Sequence, residues 1–350
     1  FSSAVPETNP ERFEAVRRGI ECVRRGEFLA RLAQRFSTVV AIGGSHGKTT
    51  TSAMLAHILR QCGLNPGYLV GADVPGWPVA AGAGNGAILV TEVDESDGTQ
   101  AAMRSTIALI TNIEDDHCWT LGGEQALKTC FANFANGAEH VLAWTGPGTR
   151  EVLAAHPSIR FLDSDTVPRE LDLPMSGDHN RRNATMAIEA ARLLGVESAA
   201  AQDALRTFPG VSRRMKTHYS DADGETVLIE DYAHHPTELR CLLDSLRQRY
   251  PEHRLVAVFQ PHRHERVKRY GTEFAALLGS ADETVVTAPF AAWVDDGDDT
   301  EPRRIAESVT DCPATYWDGE YAPLIDFLLA GEQRGTTAGL PARTVYTIIG

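Results

Sequence analysis

The chain has 350 residues, 43% hydrophobic and 23% charged, with 33 Lys and Arg against 47 Asp and Glu for a net charge of −14. That length suits two domains of ordinary globular composition, and so acidic a total argues against counterion-driven binding to nucleic acid. No apolar run approaches the roughly 18 residues of a membrane span, and the first residues lack the basic-then-apolar layout of a secretory leader. The six cysteines are scattered without a CxxC pair, which reads as reduced thiols of a cytoplasmic protein.

The first 36 residues hold a helix or two but no complete core. Apolar β-rich runs then alternate with helical patterns, the signature of an α/β fold with a mostly parallel sheet. Strands are predicted at 38–42, 87–93, 107–113 and 140–144, with helices at 50–61 and 180–195. In the second helix Ala187, Ile188, Ala191 and Leu194 face inward, and Gly195 is the C-cap. After Phe208-Pro209-Gly210 a second α/β series begins, with strands at 226–232, 254–260, 283–288 and 343–349 and a helix opening at Pro236. The domain boundary is placed near residue 208, and the acidic stretch 295–301 is read as a solvated loop. Both ends look cut, since the last strand stops at Gly350, where a strand commonly turns toward a following helix.

The strongest local signal runs from Val39 to Thr51, where a strand enters Gly43-Gly44-Ser45-His46-Gly47-Lys48-Thr49-Thr50 and a helix opens. Backbone N–H groups of such a loop wrap a phosphate at a helix N-terminus. Lys48 would reach the β- and γ-phosphates, and the Thr49 hydroxyl would ligate Mg²⁺. Ile42 stands where the strict pattern has its first glycine. Glu92, Asp94, Glu95 and Asp97 cluster at a strand's C-terminal end, where open α/β sheets bind ligands. Alone they could be a solvated turn; beside a P-loop, Glu92 is the best placed to hold Mg²⁺. His117 closes the next strand end, one strand–helix–strand step later, and could serve a second metal position.

Asn180 and Asn183 share a face at the start of a helix, where either could cap or bind a ligand. The stretches Asp231–Pro236 and Gln260–Arg266 both follow a strand and precede a helix, and both are rich in His. Arg263 and Arg266 suit a carboxylate or phosphate, because a guanidinium forks two N–H groups toward two oxygens. Zinc is the rival for so many histidines, but neither Cys partners nor an HExxH spacing supports it.

Eight stretches occur in order: SSAVPETNPE, GGSHGKTTT, EVDESDGT, TNIEDDH, GDHNRRNA, GVSRRM, DYAHHPTE and FQPHR. Together they resemble the Mur ligase family, the ATP-dependent amino-acid ligases of peptidoglycan precursor synthesis. The resemblance implies residues 1–36 as the tail of an N-terminal UDP-binding domain and 37–208 as a central P-loop ATPase domain. Residues 209–350 would be a C-terminal Rossmann-like ligase domain, truncated at its end.

It further implies ATP and Mg²⁺, with Gly44, Ser45, His46, Gly47, Lys48, Thr49 and Thr50 as the phosphate cradle and Thr49, Glu92 and His117 as metal ligands. His179, Asn180 and Asn183 match the adenine-side motif, and Asp231 an ATP-contacting acid. Ser96, Arg214, His234, His262, Arg263 and Arg266 match the acceptor side, with His234 a candidate base on position. The ESDG and FQPHR stretches look most like the branch that joins L-alanine to the lactyl carboxylate of UDP-N-acetylmuramate. Small-molecule substrates, no nucleic acid, no membrane and an open oligomeric state follow. The rivals are the same chemistry on a tripeptide acceptor of murein recycling, and a nucleotide-binding protein without ligase activity. The sequence departs from the family at Ser45, Gln100, Trp119, Leu121 and His264-Glu265, mostly near the acceptor side.

Overall fold

The computed structural model describes residues 1–2, 5–116, 118–290, 300–337 and 343–350. The chain divides into two compact units, Phe1–Met175 with His179–Val211, and Ser176–Asp178 with Ser212–Gly350. The first unit opens with α1 (Pro10–Arg17) and α2 (Arg25–Ala33), then β1 (Thr38–Gly43), α3 (Lys48–Gln61), β2 (Gly67–Leu69), β3 (Ala81–Gly82) and β4 (Ile88–Glu92). It continues with β5 (Ser105–Ile110), α4 (Cys118–Leu121), α5 (Glu124–Asn136), β6 (Ala138–Trp144), α6 (Pro147–Leu153), β7 (Ile159–Leu162), α7 (Asp178–Leu193) and α8 (Ser198–Leu205).

The seven strands run in the order β3-β2-β4-β1-β5-β6-β7. Every neighbouring pair is parallel except β2 with β3. Strand side chains alternate between faces. Val40 and Ile42 of β1 therefore enter one core with Met54, Leu55, Ile58 and Leu59 of α3, while Val39 and Ala41 enter another with Phe131 and Phe134 of α5. A strand buried on both sides must read as a continuous apolar run, which is why β1 is plain in the sequence. Ala30 and Ala33 of α2 join the second of these cores, so residues 25–33 pack with the first unit.

The second unit holds β8 (Lys216–Ser220), β9 (Thr226–Asp231), α9 (Pro236–Arg249), β10 (Arg254–Phe259), α10 (His264–Leu278), β11 (Glu283–Thr287), α11 (Thr300–Ser308), β12 (Ala314–Trp317), α12 (Tyr321–Thr337) and β13 (Thr344–Ile349). Its sheet runs β12-β11-β10-β13-β9-β8, with only β8 and β9 antiparallel. Leu239, Leu242, Leu243 and Leu246 of α9 bury against Leu255, Ala257 and Phe259 of β10. No described helix is long and apolar enough to cross a membrane.

Two expectations are adjusted. The strand expected at 107–113 ends at Ile110, and the residues beyond it turn to brace a loop. The acidic stretch expected as a loop reaches helix α11, which opens at Thr300, while 295–299 lie outside the described residues.

Candidate active site

In the first unit β1 leads into the glycine-rich loop between the ends of β4 and β5, where the strand order reverses direction and α/β sheets bind ligands. Gly44 sits at φ +135° and Gly47, the residue before α3, at φ +83°. A Cβ on Gly44 would lie 2.0 Å from Thr111 Oγ1, and one on Gly47 would lie 2.7 Å from Asn183 Oδ1. Gly44 thus needs glycine for conformation and for space, and Gly47 for its conformation. The unpaired amides of the first turn of α3 face the same loop end, as an anion site requires.

The loop is braced from the end of β5. Asn112 Oδ1 accepts the His46 N–H at 2.8 Å, Asn112 Nδ2 donates to the His46 carbonyl at 3.1 Å, and the Thr111 hydroxyl donates to that same carbonyl. Ser45 Oγ accepts the Glu114 N–H at 2.9 Å and donates to the Glu114 carbonyl at 3.2 Å. A threonine here would offer the same hydroxyl for this brace. Asn183, expected on the adenine side, stands beside Gly47. Trp144 Nε1 donates to the Arg182 carbonyl at 3.1 Å and ties the start of α7 to the end of β6. Asn180 is buried in the same turn.

Lys48 Nζ donates to the carbonyls of Gly44 (2.6 Å) and Ser45 (3.2 Å) and to both carboxylate oxygens of Glu95 (2.9 and 3.1 Å). Burial opposes the ammonium, but Glu95, Glu92 and Asp94 outweigh it and hold Lys48 above its ordinary range. At Glu95, which is fully buried, burial dominates and pushes the carboxyl up to about 7 against the pull of Lys48. Sequence reasoning singled out Glu92 and passed over Glu95. No local signal separates four acids in one turn; only the fold shows which one turns back to the lysine.

The Thr49 hydroxyl donates to Glu92 Oε2 at 2.8 Å, and that oxygen also accepts the Gly71 N–H at 3.0 Å. A hydroxyl touching a carboxylate at a phosphate loop is the hard-oxygen pair that Mg²⁺ takes together with substrate phosphates. The residues present therefore fit that ion. His117, the third expected ligand, lies outside the described residues. Ser96 sits on the turn after β4, its N–H bound to Asp94 Oδ1 at 2.9 Å and its carbonyl to the Thr120 hydroxyl at 2.6 Å.

In the second unit the ends of β9 and β10 carry the remaining candidates. Asp231 is buried and accepts the Met215 N–H at 2.8 Å. Burial pushes its carboxyl up to about 6, with Arg214 and the Met215 N–H pulling the other way. Arg214 lies 3.6 Å from Glu238 and 5.5 Å over the Tyr232 ring. His234 and His262 have ring centroids 5.6 Å apart, and both pack edge-on to Tyr232. His234 Nδ1 lies 2.8 Å from the Tyr232 carbonyl. A carbonyl only accepts, so Nδ1 carries a proton, and the neutral form of the ring has its lone pair on Nε2.

Arg263 adopts φ +67°, a strained backbone for a residue with a Cβ, and its N–H donates to the Phe290 carbonyl at 2.9 Å. Arg266, three residues further on in the first turn of α10, is almost wholly buried. Tyr232 is the residue that sequence reasoning missed here. It lay inside a quoted motif, but its place at the centre of Arg213, Arg214, His234 and His262 is a property of the fold.

A parallel sheet with a glycine cradle, a lysine and a hydroxyl–carboxylate pair at its switch point belongs to the P-loop nucleotide-binding class, here joined to a second α/β unit. Residues 42–143 match the Mur ligase middle domain, and residues 213–328 match the Mur ligase, glutamate ligase domain. The chain is 36% identical over 344 residues to the UDP-N-acetylmuramate–L-alanine ligase of Halorhodospira halophila, covering 89% of this chain and 70% of that relative. It is 33% identical over 397 residues to the enzyme of the same name from Bifidobacterium longum, covering 97% and 76%. The fold superposes on the UDP-N-acetylmuramate–alanine ligase MurC of Thermotoga maritima with a TM-score of 0.80 at 24% identity, over 100% of this chain and 80% of that one. The chain belongs to the Mur ligase family.

Proposed function

We infer that this protein is an ATP-dependent ligase that joins L-alanine to the lactyl carboxylate of UDP-N-acetylmuramate in the cytoplasm. The observation that carries the reading is the first unit's loop, where Lys48, Thr49 and Glu92 converge within hydrogen-bond distance of their partners. Relatives bearing that activity in their names align along nearly the whole chain.

A carboxylate does not acylate an amine in water, because its oxygen is a poor leaving group. Transfer of the γ-phosphoryl of ATP to the lactyl carboxylate gives an acyl phosphate, and attack by the alanine amine expels phosphate and forms the amide. In this scheme the N–H groups of the glycine loop and Lys48 neutralise the charge of the phosphoryl in transit. Thr49 and Glu92 would hold Mg²⁺, which supplies further positive charge there when bound. His179 and Asn180 would face the adenine, Asn183 would stand at the phosphate loop beside Gly47, and Asp231 would contact the nucleotide.

In the second unit Arg263 and Arg266 would fix carboxylates by forked donation, with His262 and Arg214 on the acceptor side; Ser96 of the first unit is a further acceptor-side candidate. The incoming amine must be neutral, and His234, whose Nδ1 proton is held by the Tyr232 carbonyl, presents Nε2 as the base. Phosphate release with ATP, Mg²⁺ and UDP-N-acetylmuramate, with and without L-alanine, tests the reading. Release that requires L-alanine and yields the alanyl product is expected. Release that requires a tripeptide instead moves the assignment to the recycling branch, and ATP binding without release removes the ligase activity.

A further inference from the structure

The contact between Lys48 and Glu95 belongs to none of the roles assigned above. An ammonium has three protons, and four oxygens surround Nζ: the Gly44 and Ser45 carbonyls and both oxygens of Glu95, at 2.6 to 3.2 Å. A phosphate oxygen can be added to this shell only if one of the four leaves. The two carbonyls belong to the cradle itself. Gly44 is packed against Thr111, and Ser45 is bound twice to Glu114. Glu95 comes from the turn after β4, outside any strand or helix, where rotation of one side chain releases the lysine. It also carries the same sign as the incoming phosphates, and two anions sharing one buried ammonium repel.

Resting on the nucleotide reading above, we propose that Glu95 is the counter-anion of Lys48, a positioning residue that holds the lysine at the loop and is exchanged for a nucleotide phosphate when nucleotide binds. The turn that carries it is built to keep it there. Gly98 N–H donates to the Glu95 carbonyl at 2.9 Å, Thr99 N–H to Asp97 Oδ1 at 3.0 Å, and the Thr120 hydroxyl to the Ser96 carbonyl. When the lysine turns to phosphate, a fully buried carboxylate loses its cation. The same burial that raises its pKa lets it remain as the neutral acid.

The test is a binding cycle on the whole chain, with ADP and a non-hydrolysable ATP analogue titrated by calorimetry into wild type, Glu95→Gln, Lys48→Met and the double variant. Removing the competing charge while keeping the shape should tighten binding roughly tenfold or more in the Lys48 background, the worth of one charge-assisted hydrogen bond. With Met at position 48 the gain should shrink to within about twofold, because there is no ammonium left to contest. A residue that merely supports the turn would weaken binding in both backgrounds, and that result overturns the proposal. Should Glu95→Gln fail to fold, a crystal structure of wild type with ADP decides the matter. Separation of the Lys48 ammonium from the Glu95 carboxylate is expected, and an intact pair beside bound phosphate overturns it. Wild type that binds neither nucleotide would overturn the nucleotide reading itself, a result distinct from binding that Glu95→Gln fails to improve.

Discussion

Replacing Gly44 with alanine puts a methyl where the loop has none to spare. At φ +135° any residue with a Cβ is strained by roughly 1–3 kcal/mol. The new carbon would also meet Thr111 Oγ1 at 2.0 Å and the amide nitrogens of Thr111 and Asn112 at 3.0 and 3.1 Å. Two of those three atoms are backbone and cannot rotate away, so overpacking adds about 1–3 kcal/mol more. The loop can relieve the clash only by lifting from the end of β5. That breaks the Thr111 N–H bond to Gly43 and the pair of bonds from Thr111 and Asn112 to the His46 carbonyl. The Gly44 carbonyl that holds Lys48 would move with it. We expect Gly44→Ala to weaken ADP binding by tenfold or more, on the order of 1.4 kcal/mol per tenfold, measured by calorimetry. Gly63→Ala is the control. Its φ is +79°, but a Cβ there meets nothing within 4 Å, so it should lower stability by about 1 kcal/mol and leave ADP affinity unchanged. Binding by Gly44→Ala within twofold of wild type would refute the claim that this close approach shapes the cradle.

Ser45→Thr should keep nucleotide affinity while Ser45→Ala lowers it several-fold by calorimetry, because only the hydroxyl bonds both to the N–H and to the carbonyl of Glu114. Lys48→Ala should lower turnover by roughly a hundredfold or more in the phosphate-release assay while the far-ultraviolet dichroism stays that of wild type. Asp231, raised from 3.8 to about 6 by burial, binds its proton more tightly in the folded chain than in the unfolded one. Its contribution is therefore full below pH 3.8 and is lost as pH rises through about 6, a fall of about 3 kcal/mol. Hydrogen exchange of the β9 amides should show that fall in wild type and not in Asp231→Asn; equal slopes would refute it. Glu283→Ala leaves the nearly buried Arg254 guanidinium without its carboxylate and should destabilise the second unit by about 3 kcal/mol. Glu283→Leu combined with Arg254→Met should lose less, as urea titration would show.

What the sequence disclosed and what it hid differ by the range of the causes. β1 and its loop were legible because everything that makes them is adjacent in the chain: an apolar run buried on both faces, two glycines with positive φ, then a helix former. Glu92 followed from the same logic, since it ends a strand beside β1, and the register Ile42 opposite Glu92 places its carboxylate level with the loop. β8 was missed because its five residues, Lys216–Ser220, are all exposed on an antiparallel edge and carry no apolar alternation. The strand expected to run to 113 stopped at Ile110 because Thr111 and Asn112 serve the phosphate loop, and their polar side chains were the available clue.

Glu95 is the instructive omission. In the sequence it is one of four acids in a turn, where solvation is the natural reading. In the fold it is the one that water does not reach. The difference comes from a lysine 47 positions earlier, across a sheet whose strand order no local pattern specifies. Residues whose role is to oppose a ligand, rather than to hold it, leave the weakest mark in a sequence, because their partner is elsewhere in the chain.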